Sequence, residues 1–532
     1  MEDFLWWHDG VIYQIYPRSF ADSKHNGIGD LEGIRCKLGY LSNLGIDAIW
    51  LSPIYPSPDV DFGYDVSDYL SVDLKYGSMR DFELLLKYAH KHGIHIILDL
   101  VLNHTSDQHP WFKESRKSSN NPYRDYYLWR NPKSNGKEPN NWLSIFGGSG
   151  WKFDKNTGQY YFHMFFKEQP DLNWRNPKVR AQLLDVFRFW LDKGVDGFRL
   201  DVFNVYFKDA QYRDNPTNIF GLRPFERQEH IYDCDQKDMI PLLQEIRQIL
   251  DSYPESYLVG ETFLANAEKA ASYCGNDLLH ATFNFEFIQN PWNPGCFLNS
   301  IVNQEDALQG KCWPNYVLNN HDSARSATRF GQGEDDQRLK VAAAMLLTMR
   351  GTPFMYYGEE IGMRDIQLKR SQIKDPIGKY YWPFYKGRDG CRAPMQWNAT
   401  LNAGFSNVTP WLPIHPDYIQ RNVLNQQKDT DSLYNFYRQL LALRKQYPTL
   451  VRGGFKPLKQ RSKQVLIYEK KYKDQLALVA LNFSKSKAKV NLAQSESRKW
   501  QLLISSKHKQ LEILTNDLLN LEENEACILL KV

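Results

Sequence analysis

Eight short runs of apolar and β-branched residues recur along the first 360 positions, with helical stretches between them. Such runs are typical of strands buried on both faces, and their alternation with helices is typical of a parallel sheet. The pattern therefore predicts an α/β fold, a (β/α)8 TIM barrel. The runs are at 11–17, 48–53, 94–101, 197–202, 256–262, 279–285, 316–321 and 352–360.

Three helices have clear amphipathic patterns. Apolar residues at helical spacing predict a helix over 81–92, ended by Gly93, and another over 178–192, ended by Gly194. A third helix is predicted over 432–447, after the last barrel strand.

The alternation of strand and helix breaks in two places. Residues 104–173, after the third strand, are rich in Asn, Ser, Gly, Lys and aromatics and have no helical period, so we expect a small inserted domain. Residues 364–430 are irregular and rich in proline, so we expect a long loop. This loop would cover the same rim of the barrel as the inserted domain.

The C-terminal part of the chain has a different pattern. The runs KQVLIYEKKY and QLALVALNFS alternate like antiparallel strands around a Lys-Asp turn. We therefore expect a C-terminal antiparallel β-sandwich domain. The predicted domains are a catalytic barrel at 1–103 and 174–454, the inserted domain at 104–173 and the β-domain at 455–532.

Composition agrees with an ordinary globular protein and excludes several other classes. Of the 532 residues 42% are hydrophobic and 24% are charged, and the formal charge is +4. No basic stretch interleaved with aromatics indicates a nucleic-acid groove, and no run of 18 apolar residues indicates a membrane span. We expect no nucleic-acid partner and no membrane contact, with a monomer or weak homo-oligomer as the assembly.

The seven cysteines are odd in number and irregularly spaced, which fits neither a disulfide framework nor a CxxC metal site. Reduced thiols are the expected state. The N-terminus MEDFLWWHDG has no basic and apolar segments of a signal peptide. A cytoplasmic protein is the resulting expectation.

Polar residues gather where the predicted strands end. In a parallel barrel these ends form the active face. A single carboxylate there is ordinarily a helix cap or part of an ion pair, but three acids with two histidines and an arginine favour a site. Paired carboxylates beside a cation suit glycosyl transfer, in which one attacks and the other protonates the leaving oxygen. The three acids are Asp201, Glu261 and Asp322, the histidines are His104 and His321, and the arginine is Arg199; Asp99, near the end of the third run, is a further carboxylate at this face.

The motifs DLVLNH, GFRLD, VGET and NNHD, in that order, resemble the four signature regions of the α-amylase superfamily of glycoside hydrolases. The motifs QIYPRSF, DFGYDVSDY, QPDLNW and CRAPMQW are similar to those of its α-glucosidase and oligo-1,6-glucosidase branch. The resemblance covers about residues 5 to 450. It implies a retaining mechanism with Asp201 as nucleophile, Glu261 as general acid and base, and Asp322 as the carboxylate that stabilises the transition state.

The same resemblance implies a glucose pocket. Asp61 and Arg392 would form an ion pair that binds the terminal 4-hydroxyl and closes the pocket behind one sugar. Arg199 would hold Asp201 ionised, since a nearby cation lowers the pKa of a carboxylate. Asp65 and Asp99 are expected to be structural supports. The implied substrate-binding residues are Asp61, Tyr64, His104, Phe146, Phe165, Gln169, Arg199, His321 and Arg392.

The loop at 21–33 resembles a calcium loop of the family. Asp22, Asn26, the carbonyl of Ile28 and Asp30 remain, but Lys24 replaces one ligand. An ammonium group there repels a divalent cation and can itself satisfy the carboxylates. We expect Lys24 to take the place of the metal and no cofactor to be required, with calcium as the alternative that Lys24 disfavours.

Val202 follows the nucleophile and is the candidate specificity residue. Valine here resembles enzymes that cleave α-1,6 links, while the following FNVYFKDAQYRDNP resembles α-glucosidases that favour α-1,4 links or transfer glucose. We expect a retaining, exo-acting α-glucosidase that accepts α-1,6 links in short oligosaccharides, with α-1,4 links open as a second accepted linkage. The alternatives are a transglucosylase or sucrose isomerase of the same family, or a non-catalytic relative like a transporter subunit.

Overall fold

The computed structural model describes residues 4–283, 285–331, 333, 335–460, 462–492, 495, 497, 499–507, 513–514 and 518–532. Eight parallel strands form one sheet whose hydrogen-bonded order is 7-8-1-2-3-4-5-6 in chain numbering. Strands six and seven lie side by side, so the sheet is a near-closed barrel. The predicted TIM barrel is therefore confirmed. The strands are Ile12–Ile15, Ala48–Leu51, His95–Leu100, Gly197–Leu200, Tyr257–Glu261, Ala281–Phe283, Asn315–Val317 and Thr352–Tyr356.

Most of these strands are shorter than the apolar runs that predict them. The seventh strand, for example, ends at Val317, whereas the run continues to 321. Apolar residues beyond a strand end are still buried, as Leu318 is, because loops pack over the barrel rim. The barrel interior is filled by large side chains that include Trp50, Phe283 and Phe354.

The helices begin at polar caps and pack around the barrel. Helix Met79–Lys91 begins with a capping box between Ser78 and Asp81. Helices Pro177–Asp192 and Leu433–Gln446 begin after Asn176 and Ser432, whose side chains accept backbone hydrogen bonds. The three predicted helices are thus confirmed. The others are Trp6–Asp9, Pro17–Phe20, Leu31–Arg35, Leu38–Leu44, Pro110–Ser115, Met239–Asp251, Ala267–Ala271, Phe285–Gln289, Pro294–Leu308, Ser326–Phe330, Gln337–Thr348, Pro376–Tyr381, Val423–Lys428 and Pro448–Arg452.

The segment after the third strand has its own antiparallel sheet. Strand Gln159–Phe162 lies between Trp129–Arg130 and Trp151–Asp154. A buried ion pair, with 2.8 Å between Lys208 Nζ and Asp171 Oδ2, joins this segment to the loop after the fourth barrel strand. The inserted segment therefore lies against the rim that carries the polar residues.

The C-terminal domain is antiparallel. Strand Val465–Tyr472 pairs with Gln475–Asn482 around a two-residue turn at Lys473 and Asp474, as the sequence predicts. The larger sheet has the order Gly454–Pro457, Val465–Tyr472, Gln475–Asn482, Ala526–Lys531, Trp500–Ser505 and Ile513–Leu514. A second sheet pairs Ala488–Asn491 with Leu518–Leu521, and a shared apolar cluster lies between the two.

No helix in the described part of the chain is long and apolar enough to cross a bilayer.

Candidate active site

The carboxyl ends of adjacent strands bring four of the predicted residues together. Asp99 on the third strand is in register with Arg199 on the fourth. Asp201 follows the fourth strand directly, and Glu261 is the last residue of the fifth. Short parallel strands in register place these side chains at one level of the barrel rim.

One guanidinium holds three carboxyl groups. Arg199 Nη1 donates to Asp99 Oδ1 at 2.6 Å and to Asp201 Oδ1 at 2.8 Å. Its other terminal nitrogen contacts Glu261. Asp201 and Glu261 therefore lie on two arms of one planar cation, as a pair of cooperating carboxyl groups requires. The retaining mechanism that the sequence implies predicts a separation of about 5 to 5.5 Å between their carboxyl groups.

The environment of Asp201 differs from the expectation. Burial raises its pKa, Arg199 lowers it, and the nearby Asp99 raises it again, so that the pKa is raised to about 7. Arg199 lowers the pKa of Asp201 as expected, but burial and Asp99 outweigh this effect, so Arg199 does not keep Asp201 fully ionised at neutral pH. The physical reason is that the cation is shared: burial also raises the pKa of Asp99, which competes for the same guanidinium.

Asp322 has the opposite balance. Burial opposes its ionisation, but the positive charge around it outweighs burial and lowers its pKa. Arg392 Nη2 lies 2.8 Å from Asp322 Oδ1, and Arg388 Nη1 lies 3.4 Å from the same oxygen. Burial lowers the pKa of the adjacent His321 to about 3, so at neutral pH the two guanidiniums supply the charge. Asp322 is thus kept as a carboxylate.

The predicted ion pair between Asp61 and Arg392 is wrong in its second member. Arg388 Nη2, not Arg392, donates to Asp61 Oδ1 at 2.6 Å. Arg392 is fully buried, donates through Nε to the carbonyl of His321 and supports Asp322 from below. Arg388 lies four residues earlier and is aimed at Asp61 by the buried carboxylate of Asp375, at 3.0 Å.

Aromatic and amide groups complete the floor. The Tyr64 hydroxyl donates to Asp99 at 3.0 Å, and its ring is stacked on His321 with the centroids 5.2 Å apart. His104 Nε2 lies 3.0 Å from both the Tyr64 carbonyl and the Gln169 amide nitrogen. Burial lowers the pKa of His104. Both histidines are therefore neutral hydrogen-bonding groups at neutral pH.

Tyr64 and His104 line a cavity of about 520 Å³ together with Asp61, Asp201, Glu261 and Asp322. The other predicted substrate-binding residues Gln169, Arg199, His321 and Arg392 lie behind this lining and contact it through hydrogen bonds and ion pairs. Phe146 and Phe165, whose ring centroids are 5.6 Å apart, form one wall, as the sequence predicts. The residues that the sequence analysis missed are Arg388 and the outer lining, which includes Arg223, Phe263, Ile377, Phe384 and Tyr385. Most of them come from loops without a periodic pattern, and Ile377 comes from the short helix Pro376–Tyr381 within such a segment, so no sequence signal marks them.

Val202 also lines the cavity and has an unusual backbone. Its φ of 31° and ψ of 45° are left-handed, which is rare for a β-branched residue. Outliers of this kind gather at functional sites. The turn ends the fourth strand just after Asp201 and directs the valine side chain to the cavity wall.

The loop at 21–33 does not use Lys24 in the expected way. The Lys24 ammonium donates to the carbonyls of Leu74 and Lys75, at 3.1 and 3.5 Å, not to the carboxylates. Asp22 and Asp30 accept instead from backbone amides and hydroxyls, which belong to Ser23, Lys24, Asn26, Gly27, Gly33 and Ser406. The Asn26 amide oxygen accepts from the Ile28 amide. Each of these oxygens therefore already accepts at least one hydrogen bond from the protein.

No cluster of three or more His, Cys, Asp or Glu side chains with a metal-binding arrangement occurs among the residues that the structure describes.

Acidic groups around one arginine, on the carboxyl rim of a TIM barrel and at the bottom of a cavity, define a glycoside hydrolase type of site. The chain belongs to the α-amylase family, because the family model "Alpha amylase, catalytic domain" matches residues 14–453. It is 44% identical to a probable alpha-glucosidase of Rhizobium meliloti over 84% of each chain. It is 41% identical to an oligo-1,6-glucosidase of Parageobacillus thermoglucosidasius, over 90% of this chain and 91% of that one.

Solved structures agree with this assignment. An alpha-glucosyl transfer enzyme has a TM-score of 0.94 and 37% identity over the whole of both chains. The isomaltulose synthase of Erwinia rhapontici NX5, solved as a mutant with sucrose, has a TM-score of 0.92 and 34% identity over the whole of both chains.

Proposed function

We propose that this protein is a retaining, exo-acting α-glucosidase that removes terminal α-linked glucose from short oligosaccharides. The observation that carries the proposal is the shared Arg199 guanidinium, which holds Asp201 and Glu261 side by side above a closed cavity floor. The named relatives, alpha-glucosidases and oligo-1,6-glucosidases, support the same reaction and an α-1,6 substrate.

The proposed first step uses the two carboxyl groups on opposite sides of one bond. The Asp201 carboxylate attacks the anomeric carbon while the bond to the leaving oxygen breaks, and Glu261 gives its proton to that oxygen. In the second step Glu261 takes a proton from water, the water oxygen bonds to the anomeric carbon, and Asp201 leaves. The ionised Asp322 stabilises the positive charge that develops on the sugar.

Release of one glucose at a time follows from the Asp61–Arg388 pair. Both side chains line the cavity and are at most about one-tenth exposed. An ion pair at the closed end offers charged hydrogen-bond partners to a terminal hydroxyl and leaves no passage for a longer chain. We therefore propose a pocket for the non-reducing terminal glucose.

Transfer of glucose is a second candidate reaction. A sugar or another alcohol can replace water in the second step, and the structural relatives include a glucosyl transfer enzyme and an isomaltulose synthase. The apolar outer lining of the cavity favours it, because an apolar entrance holds an acceptor better than it holds water. A non-catalytic role is disfavoured, because Asp201, Glu261 and Asp322 are all present in the cavity.

The deciding experiment is a panel of maltose, isomaltose, trehalose, sucrose and isomaltotriose, with mass spectrometry of transfer products and NMR of the first anomer released. We expect α-glucose as the first glucose released from isomaltotriose, whose leaving group is isomaltose and adds no glucose of its own. Release of β-glucose would contradict retention, and inactivity on isomaltose and isomaltotriose would contradict the α-1,6 specificity. Linkage isomers of sucrose as the main product would favour the isomerase.

We further propose that activity requires no metal, since the calcium-type loop is satisfied by protein donors. Unchanged activity after dialysis against EDTA is the expected result, and a loss that calcium restores would overturn it. A cytoplasmic location stays a proposal, which fractionation of the source cells tests.

A further inference from the structure

The ends of the fourth and fifth strands are joined by one side chain beyond the point where their ladder stops. The last ladder pair is Leu200 with Gly260. Beyond this pair, Asn204 Oδ1 accepts from the Phe263 amide at 2.8 Å, and Asn204 Nδ2 donates to the Phe263 carbonyl at 2.8 Å. The amide side chain thus makes the two hydrogen bonds that a neighbouring strand would make.

The local backbone aims Asn204 at this partner. The left-handed turn at Val202 is followed by a 3-10 turn at Phe203–Val205, and the asparagine is 1% exposed. Its Nδ2 also donates to Asp235 Oδ1 at 3.1 Å, while the Asp235 amide donates to the Asn204 carbonyl at 2.7 Å. Asp235 therefore fixes both the side chain and the backbone of Asn204.

A packing contact reinforces the same junction. A Cβ atom on Gly260 would lie 2.4 Å from the Phe203 ring, so only glycine allows the ring to lie against the fifth strand at this point. Phe203 and Asn204, both from the turn after Asp201, therefore contact the residues on either side of Glu261.

We propose that Asn204 is a positioning residue that fixes the Glu261 carboxyl relative to Asp201. This inference rests on the acid and nucleophile roles proposed above. Phe263 is two residues beyond Glu261, so its backbone cannot move without moving the acid. Asn204 lies behind the cavity and does not line it, so its effect on the reaction is exerted through Phe263.

The choice of leaving group separates this role from a general structural one. A leaving sugar would be a strongly basic alkoxide, so its departure needs the proton of Glu261. Fluoride is a weak base, so the C–F bond of α-glucosyl fluoride breaks with much less proton assistance. A displaced acid therefore slows the cleavage of isomaltose much more than the cleavage of the fluoride. A displaced nucleophile, or a partly unfolded protein, slows both.

The test measures kcat/KM on both substrates for Asn204→Asp and Asn204→Ser. In the aspartate variant a carboxylate oxygen replaces the Nδ2 donor and faces the Phe263 carbonyl and Asp235; the serine is too short to reach both partners. Rates are taken per active site, counted by mass spectrometry after trapping with a fluorosugar. We expect isomaltose cleavage to fall roughly 100-fold, at the low end of what general acid catalysis contributes, and fluoride cleavage to fall less than about tenfold.

The matched control is Asn482→Asp in the C-terminal domain. Asn482 is also buried, and its Nδ2 donates to the carbonyls of Ser486 and Glu522 at 2.8 and 2.7 Å. This variant should unfold at a lower temperature and keep the wild-type ratio of the two rates.

Glu261→Gln supplies the reference for leaving-group dependence. If Glu261→Gln does not discriminate between the substrates, the proposed role of Glu261 fails. If it discriminates and the Asn204 variants do not, through equal losses or no loss, the inference about Asn204 fails alone. Should the aspartate variant not fold, the serine variant carries the test by itself.

Discussion

The floor and the mouth of the cavity are built in different ways. On the floor most charged groups are buried, and Arg199 is paired with both Asp99 and Asp201. Asp322 is the exception in exposure, since its side chain is 36% exposed, but it is still paired with Arg388 and Arg392. At the mouth, Phe384 lines the cavity and is 96% exposed. Phe220 and Leu222, next to the lining residue Arg223, are 86% and 87% exposed.

This difference suggests that the floor carries out the reaction and that the mouth selects the substrate. Buried, hydrogen-bonded charges cannot reorient cheaply, which suits groups that must meet a transition state. Exposed apolar side chains contact whatever is attached to the glucose and gain free energy only when something covers them. We therefore expect changes on the floor to affect turnover strongly, and changes at the mouth to alter preference modestly.

The strongest test of the floor is removal of either reacting carboxyl. Asp201→Asn and Glu261→Gln should each lower kcat on isomaltose by about 10⁴-fold or more, as is typical when a nucleophile or its partner is removed. Circular dichroism and the unfolding temperature check that the fold is kept. Retention of more than about a hundredth of the wild-type rate would show that the roles are assigned to the wrong residues.

The two arginines of the loop at 364–430 provide the next test. Arg388→Lys should raise KM because Asp61 loses a charge-assisted hydrogen bond, which is worth about 1.5–3 kcal/mol or roughly 10- to 150-fold. Arg392→Lys should lower kcat instead, because it supports Asp322. Steady-state kinetics on isomaltose separate the two effects. The reverse assignment would restore the pairing of Asp61 with Arg392 that the sequence suggested.

That error shows what the sequence could and could not predict. Asp99, Arg199, Asp201 and Glu261 were placed correctly because each lies at or next to the end of an apolar run, and a barrel brings such ends together. Arg388 and Arg392 lie four residues apart in a loop without a period, so local sequence does not decide which one reaches Asp61.

The same limit applies to charge balance and to the loop at 21–33. The pKa of Asp201 depends on burial in the folded protein and on Asp99, which comes from a strand about 100 residues earlier in the chain. The Lys24 ammonium reaches the carbonyls of Leu74 and Lys75, which no motif marks as its partners. Fold and catalytic positions follow from local pattern, but pairing between loops follows from tertiary structure.

Val202 lies between the floor and the mouth of the cavity. Its replacement tests whether a side chain at this position affects substrate preference. Threonine at this position adds a hydroxyl of nearly equal volume beside the leaving group. One pocket contact shifts discrimination by about 1–3 kcal/mol, or roughly 10- to 200-fold. We expect Val202→Thr to raise the ratio of kcat/KM for maltose to that for isomaltose. An unchanged ratio would mean that Val202 is only a buried strand-end residue.

The pH dependence of kcat/KM tests how Asp99 affects the pKa of Asp201. Asp201 must be ionised to attack, and burial and Asp99 raise its pKa to about 7, so kcat/KM should fall as the pH drops below about 7. Asp99→Asn removes one negative charge beside Asp201. The Arg199 guanidinium is then no longer shared with a second aspartate, so it lowers the pKa of Asp201 more effectively. The acidic limb of the kcat/KM profile should therefore move to lower pH. A shift to higher pH, or none, would show that Asp99 does not set this limb.

The smallest expected effect is at the mouth. Phe384→Ala removes an exposed ring that an apolar acceptor would cover, and at roughly 25 cal/mol per Å² partial coverage contributes about 1 kcal/mol, or roughly fivefold. We expect the glucosyl-enzyme of the variant to transfer less glucose to benzyl alcohol relative to water, while hydrolysis of isomaltose changes less than about threefold. Product ratios by mass spectrometry give the partition, with methanol as the acceptor too small to reach the ring. An equal loss for both alcohols would mean that the ring acts through the shape of the cavity floor, and the division between a reacting floor and a selecting mouth would then be wrong.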